Sequence, residues 1–109
     1  MQKIINDLKI TNTSFLEFIV LKMLSSRAYS VSEICSALKN IGFKTPMGSL
    51  YPLFTKFRKK EYVISGYEEG ESGRGIKTYN LTEKGLHYLA NLRSDWKRLN
   101  RLIASIGAR

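Results

Sequence analysis

The side chains with chemical reach in this chain are mostly cations, and they are unevenly placed. Between Lys44 and Lys60 stand five basic residues and no acidic one, and Arg93 to Arg109 holds five more against Asp95 alone. Positive charge gathered in two places suits a polyanion, either nucleic acid or an acidic surface. Bond-making chemistry has far less to work with. His87 lies four residues after Glu83, with no second base, nucleophile or metal ligand beside it, so a general base or metal site lacks partners. Cys35 is the sole cysteine. It excludes a disulfide framework, nothing near it in sequence lowers its pKa, and it reads as a small buried hydrophobe. No enzymatic activity, cofactor or metal is expected.

A length of 109 residues fits one domain that buries roughly 65% of its unfolded surface, and the 43% hydrophobic content supplies a core. The net charge of +9 is carried mainly by the two basic stretches. The most apolar run, Ser14 to Leu24, is interrupted by Glu17 and Lys22, so no membrane span is expected. Asn6, Asp7 and Lys9 near the N-terminus do not fit a cleavable signal. A reducing cytoplasm is the expected location.

The first basic stretch is organised by an apolar stripe. Leu50, Leu53, Phe54 and Phe57 recur at i, i+3, i+4 and i+7, which predicts a helix with one buried face. Its opposite face falls on Gly48, Pro52, Thr55 and Lys59, flanked by Tyr51 and Lys56. Thr45-Pro46 is the expected start, with Thr45 as N-cap and proline at the first helical position. Pro52 removes a donor and crowds the Gly48 carbonyl, so a bent first turn is expected rather than a break.

Other elements must position that helix. Met1 to Ile10 has a short amphipathic pattern in Ile4, Ile5 and Leu8. Ser14 to Glu17 has the form of a capping box, opening a helix that is apolar on nearly every side and fades at Ser25-Ser26. Ser30 to Glu33 is a second capping box, followed by Val31, Ile34, Ala37, Leu38 and Ile41, with Gly42 at a left-handed C-cap. Two helices joined by so short a glycine turn form a helix-turn-helix. Then the period changes. Tyr62 to Ser65 and Ile76 to Leu81 read as strands around a glycine-rich tip at Gly70 to Gly75.

Thr82 caps the last helix, with Glu83 at its positive end. Leu89, Leu92, Trp96, Leu99, Ile103 and Ile106 follow at spacings of 3, 4, 3, 4 and 3, which is a heptad seam. A helix of roughly 24 residues spans about 36 Å, more than a compact domain of this size covers. The seam predicts a second copy of the chain, the alternative being that Met1 to Ile10 folds back over it. The expected fold class is mainly α with a small β-hairpin wing: residues 1–81 form a winged helix-turn-helix, and residues 82–109 a long dimerisation helix within the same structural unit.

The residues also resemble a known family, the PadR-type transcriptional regulators. The resemblance runs from about Phe15 to Leu99 and rests on three segments in order. These are Gly48-Ser49-Leu50-Tyr51-Pro52-Leu53-Phe54, Gly73-Arg74-Gly75-Ile76-Lys77-Thr78-Tyr79, and Leu81-Thr82-Glu83-Lys84-Gly85. Many members have Arg-Leu-Glu where this chain has Lys56-Phe57-Arg58, and its first wing strand is unusually acidic. The resemblance implies a dimeric cytoplasmic repressor whose recognition helix enters the major groove while the wing reaches the flanking backbone or minor groove. The length resembles the compact subgroup with a single dimerisation helix.

With double-stranded DNA as partner, the expected contacts are Tyr51, Thr55, Lys56 and Lys59 on the recognition helix. Thr45 and Ser49 would meet phosphates near its N-terminus, and Arg74 and Lys77 would act from the wing. Because the lysines lie in the second half of the helix, base-specific contact falls to Gly48 to Thr55. Trp96, the sole tryptophan, sits mid-seam. It either packs a homodimer interface or, as compact relatives imply, helps hold a flat hydrophobic effector with Phe15, Phe18 and Leu92. A different class, a winged helix used for protein assembly without DNA, has the same fold, because fold does not fix function.

Overall fold

The computed structural model describes residues 12–70, 73 and 75–107, with side chains from residue 15 onward. The expected helix at Met1 to Ile10 and the wing residue Arg74 lie outside the described residues. In chain order the elements are α1 (Asn12–Leu24), α2 (Val31–Asn40), α3 (Met47–Lys59), β1 (Val63–Glu69), β2 (Gly75–Leu81) and α4 (Glu83–Ile106).

One stripe of α1 forms the centre: Glu17, Val20, Leu21 and Leu24 fall at i, i+3, i+4 and i+7, and all are buried. Around them close Val31, Ile34 and Leu38 of α2, the expected stripe of α3, Val63 and Tyr79 of the hairpin, and Leu89 and Leu92 of α4. The helix start expected at Ser14 lies further back: α1 already runs at Asn12, and Ser14 stands inside it. Glu17 is turned inward.

The capping box at Ser30 is present. The Glu33 backbone N–H donates to the Ser30 hydroxyl at 3.1 Å, and the Ser30 N–H donates to the Glu33 carboxylate at 2.9 Å. α2 ends as the glycine requires: Gly42 adopts φ +87°, and the Phe43 N–H returns to the Leu38 carbonyl at 2.8 Å. Four residues later α3 begins. Its N-cap is Pro46 rather than Thr45, with no side-chain cap. Thr45 is drawn into the turn, where its carbonyl accepts from the Cys35 thiol at 3.3 Å. Pro52 lies within an unbroken α3, and the carbonyl it leaves without a donor belongs to exposed Gly48.

β1 and β2 pair antiparallel in the register Val63↔Leu81 to Glu69↔Gly75, so the acidic arm is strand throughout. A third extended segment joins them: Tyr29 and Tyr79 exchange backbone hydrogen bonds at 2.8 and 3.3 Å. Helix-turn-helix plus hairpin is the winged helix expected from the sequence.

α3, the hairpin and α4 meet at one crowded turn. Glu61, with φ +62°, terminates α3, and the Tyr62 N–H returns to the Phe57 carbonyl at 2.8 Å. The Thr82 hydroxyl accepts from the Gly85 N–H at 3.0 Å and donates to the Glu61 carbonyl at 2.6 Å. A Cβ on Gly85 would overlap the Tyr62 carbonyl oxygen. Chemical denaturation should therefore separate two substitutions here. Gly85→Ala is expected to destabilise by about 1–3 kcal/mol through overpacking. Glu61→Gly should stabilise by about 1 kcal/mol by relieving a left-handed backbone.

The capping box predicts a pH dependence. The Ser30 backbone donor, with Arg27 beside it, holds the Glu33 carboxyl below its ordinary value of 4.5. A depressed carboxyl contributes stability above its unfolded pKa and loses it as pH falls through the folded one. Melting of the protein and of Glu33→Gln is expected to differ most near neutrality and to converge at acid pH.

Candidate nucleic-acid interface

Burial of Leu50, Leu53, Phe54 and Phe57 leaves Gly48, Ser49, Tyr51, Pro52, Thr55 and Lys59 of α3 exposed. This face is small and polar at its start and cationic at its end. The Thr55 hydroxyl donates to the Tyr51 carbonyl at 3.0 Å, and both residues are exposed. A shallow hollow of about 300 Å³ between Thr55, Arg58 and Lys59 marks the basic end.

At the other end, α3 shares a cleft of about 200 Å³ with its neighbours, lined by Ser32 at the start of α2, Met47 and Tyr51 of α3, and Ile76 and Lys77 of β2. Two expected contacts, Tyr51 and Lys77, are thus brought to one place from separate segments. The α2 N-terminus opens on the same cleft, and its free amides favour anions. Ser32 was not legible as part of this site, since nothing local in sequence marks it. Thr45 lines a separate hollow of about 330 Å³ with Cys35, Lys39 and Lys44.

Lys56 is placed differently from the other lysines. Its ammonium sits 2.6 Å from Oε1 of Glu17, whose residue is 2% exposed, and the Tyr88 hydroxyl donates to Oε2 at 3.1 Å. A buried carboxylate needs such partners, because leaving it unpaired is costly. Burial, followed by the nearby Glu17 charge, pushes the Tyr88 phenol far above its ordinary value of 10.0, so it remains a donor. Lys56 is therefore tied to the buried Glu17 carboxylate through its ammonium, while about half of its side chain stays exposed on α3. One sign was readable: Glu17 occupies an apolar-stripe position of α1.

The heptad seam is divided. Leu89 and Leu92 belong to the core of the same chain, which corrects the expectation that they face a partner. Trp96 and Leu99 are half-buried, while Ile103 and Ile106 are 57% and 61% exposed. Trp96 meets Phe15 edge-on at 5.4 Å between ring centroids and stacks on Phe18 at 6.0 Å. Its indole N–H is buried and has no acceptor among the described residues. His87 is exposed, and among the described residues no His, Cys, Asp and Glu side chains cluster in a metal-binding arrangement.

Two lysines should then behave oppositely in salt-dependent DNA titrations and melting. Lys59→Gln is expected to leave stability within about 0.5 kcal/mol and reduce the salt slope by about 1. Lys56→Gln should instead destabilise by about 1–2 kcal/mol, because it strands the Glu17 charge.

The described geometry has counterparts among known proteins. The PadR-like transcriptional regulator family matches residues 20–91. A PadR-like transcription factor from Bacteroides fragilis superposes with a TM-score of 0.77 at 29% identity, over 87% of this chain and 92% of that one. A PadR-like regulator from Bacillus cereus gives a TM-score of 0.77 at 24% identity, over 86% and 92% of the two chains. A protein of Lysinibacillus sphaericus, itself uncharacterised, is 28% identical over 91 residues, covering 81% of this chain and 84% of its own. Among the described residues no helix is long and apolar enough to cross a membrane. The exposed polar and cationic face of α3, the hairpin beside it and the family match lead to one conclusion: the chain belongs to the PadR-like family and is a DNA-binding transcriptional regulator.

Proposed function

We propose that the protein is a repressor that binds an inverted-repeat operator as a homodimer and is released by a small planar hydrophobic effector. Residues 1–81 serve as the DNA-binding part and residues 82–109 as the dimerisation helix. The observation that carries this reading is the pair of faces on two helices: α3 exposes Tyr51, Thr55 and Lys59, while α4 exposes Ile103 and Ile106 beyond the core. At 24 residues α4 is about 36 Å long, and the chain spans 58 Å along its longest axis. The far end of α4 thus carries an apolar stripe that the described residues leave open, and a second copy is the partner with a matching stripe.

Two α3 helices related by a two-fold axis would read half-sites about one DNA turn, roughly 34 Å, apart. Tyr51 and Thr55 supply the base-edge contacts, and Lys59, Lys77, Ser49 and Arg74 hold the backbone. Effector sensing is assigned to Trp96 with Phe15, Phe18 and neighbouring Leu92. A buried indole N–H ordinarily finds an acceptor, so a flat ligand carrying one suits this aromatic cluster.

The test is a titration of the DNA upstream of the protein's own coding sequence, with mass measured in parallel. Dimers and a salt slope near −0.9 per neutralised phosphate are expected. Ile103→Glu with Ile106→Glu should give monomers and weaken binding by about 10²-fold, since the second contact is no longer tethered. Planar aromatic compounds should quench Trp96 saturably and weaken DNA binding. A protein that binds no DNA, or binds without salt dependence, would overturn the reading in favour of an assembly module.

A further inference from the structure

Glu17 is the one buried carboxylate among the described residues, and the DNA-facing surface does not use it. Its partners come from two other helices, Lys56 of α3 and Tyr88 of α4. α4 packs mainly on α1 and β2, whereas α3 packs on α2 and β1. The Glu17 carboxylate, on α1, is therefore a shared polar link between two helices that, away from the Thr82–Glu61 turn, lean mainly on different neighbours. A second tie runs in parallel. The Tyr88 ring stacks on Tyr62 at 4.3 Å between centroids and 12° between planes, and the Tyr62 N–H closes the C-terminus of α3.

The same turn of α1 faces the aromatic cluster. Phe15 and Phe18 flank Glu17 in sequence and hold Trp96, which lies eight residues beyond Tyr88 on α4. A shift of α4 across α1 at Trp96 must move Tyr88 with it, because one rigid helix carries both. The Glu17 carboxylate then loses or redirects a donor. Its remaining interaction with the half-exposed Lys56 must readjust, because the carboxylate itself is buried.

We propose that Glu17 is a positioning residue for DNA recognition, fixing the pose of α3 relative to α4 through Lys56 and Tyr88. It touches no base or phosphate itself. The inference rests on the DNA-binding reading and adds the route by which α4 is coupled to the recognition helix. Coupling is reciprocal: DNA bound at α3 must be felt at Trp96, and Trp96 is the sole fluorescent indole of the chain.

The test uses the full chain and two duplexes of equal length, one selected by the protein from a random pool and one of scrambled sequence. For the unsubstituted protein, the selected duplex should bind more tightly and shift Trp96 emission. Tyr88→Phe removes a single hydroxyl. It should lower affinity for the selected duplex by about fivefold or more, leave the scrambled duplex nearly unaffected and abolish the Trp96 shift. A merely structural role would weaken both duplexes alike through the unfolded fraction, which melting reports separately. Glu17→Gln with Lys56→Gln removes both charges together and should lose the preference in the same way. If either variant keeps the preference and the Trp96 shift, the inference is overturned while DNA binding stands. If the unsubstituted protein binds neither duplex, the DNA-binding reading falls and takes the inference with it.

Discussion

Leu50, Leu53, Phe54 and Phe57 lock α3 into the common core, and that contact fixes the rotation of the helix about its own axis. Burying four such side chains stabilises by about 6–12 kcal/mol as an upper value. Turning α3 by about half a turn would exchange these residues for Thr55, Lys59 and Tyr51, exposing hydrocarbon and burying an ammonium. The surface offered to DNA is thus a consequence of core packing. Phe54 is held between Phe57 and Tyr79, at 5.9 and 4.5 Å between ring centroids, so the hairpin is placed by the same stripe.

Rotation alone does not fix the ends of a helix, and polar contacts do that here. The start of α3 is set by the short turn after Gly42, and its end by the left-handed Glu61 with the Tyr62 return bond. Thr82 ties that end to α4 by accepting from Gly85 and donating to Glu61. Gly85 allows α4 to approach so closely that no side chain fits. Glu17 completes the arrangement from inside. Its burial is affordable only because an ammonium and a phenol both point at it.

α4 plays two roles along one length. Its first half carries Leu89 and Leu92 into the core, and its second half leaves the domain with Ile103 and Ile106 exposed. Trp96 stands at the transition, half-buried against Phe15 and Phe18. This position lets one rigid helix carry both core residues and an exposed apolar end.

Much of this was readable from local pattern. The stripe of α3, the Ser30–Glu33 box, the Gly42 stop, the Thr82 cap and the length of α4 follow from helical period and backbone stereochemistry, which act within a few residues. Resemblance of three short segments gave the family. Tertiary structure alone decided what depended on distant partners. Ser14 to Glu17 matches a capping box locally, yet the carboxylate gains more from Lys56 and Tyr88, 39 and 71 residues away. Lys56 looked like its neighbour Lys59 until that partner claimed it. Leu89 and Leu92 share one heptad seam with Ile103 and Ile106, and only the position of α1 decides which are core. Ser32 joined Tyr51 and Lys77 because packing of α2 and the hairpin brought them to one cleft. Sequence determined which faces are apolar and where helices start and stop; the fold determined which charge meets which, because electrostatic pairing depends on distance in space.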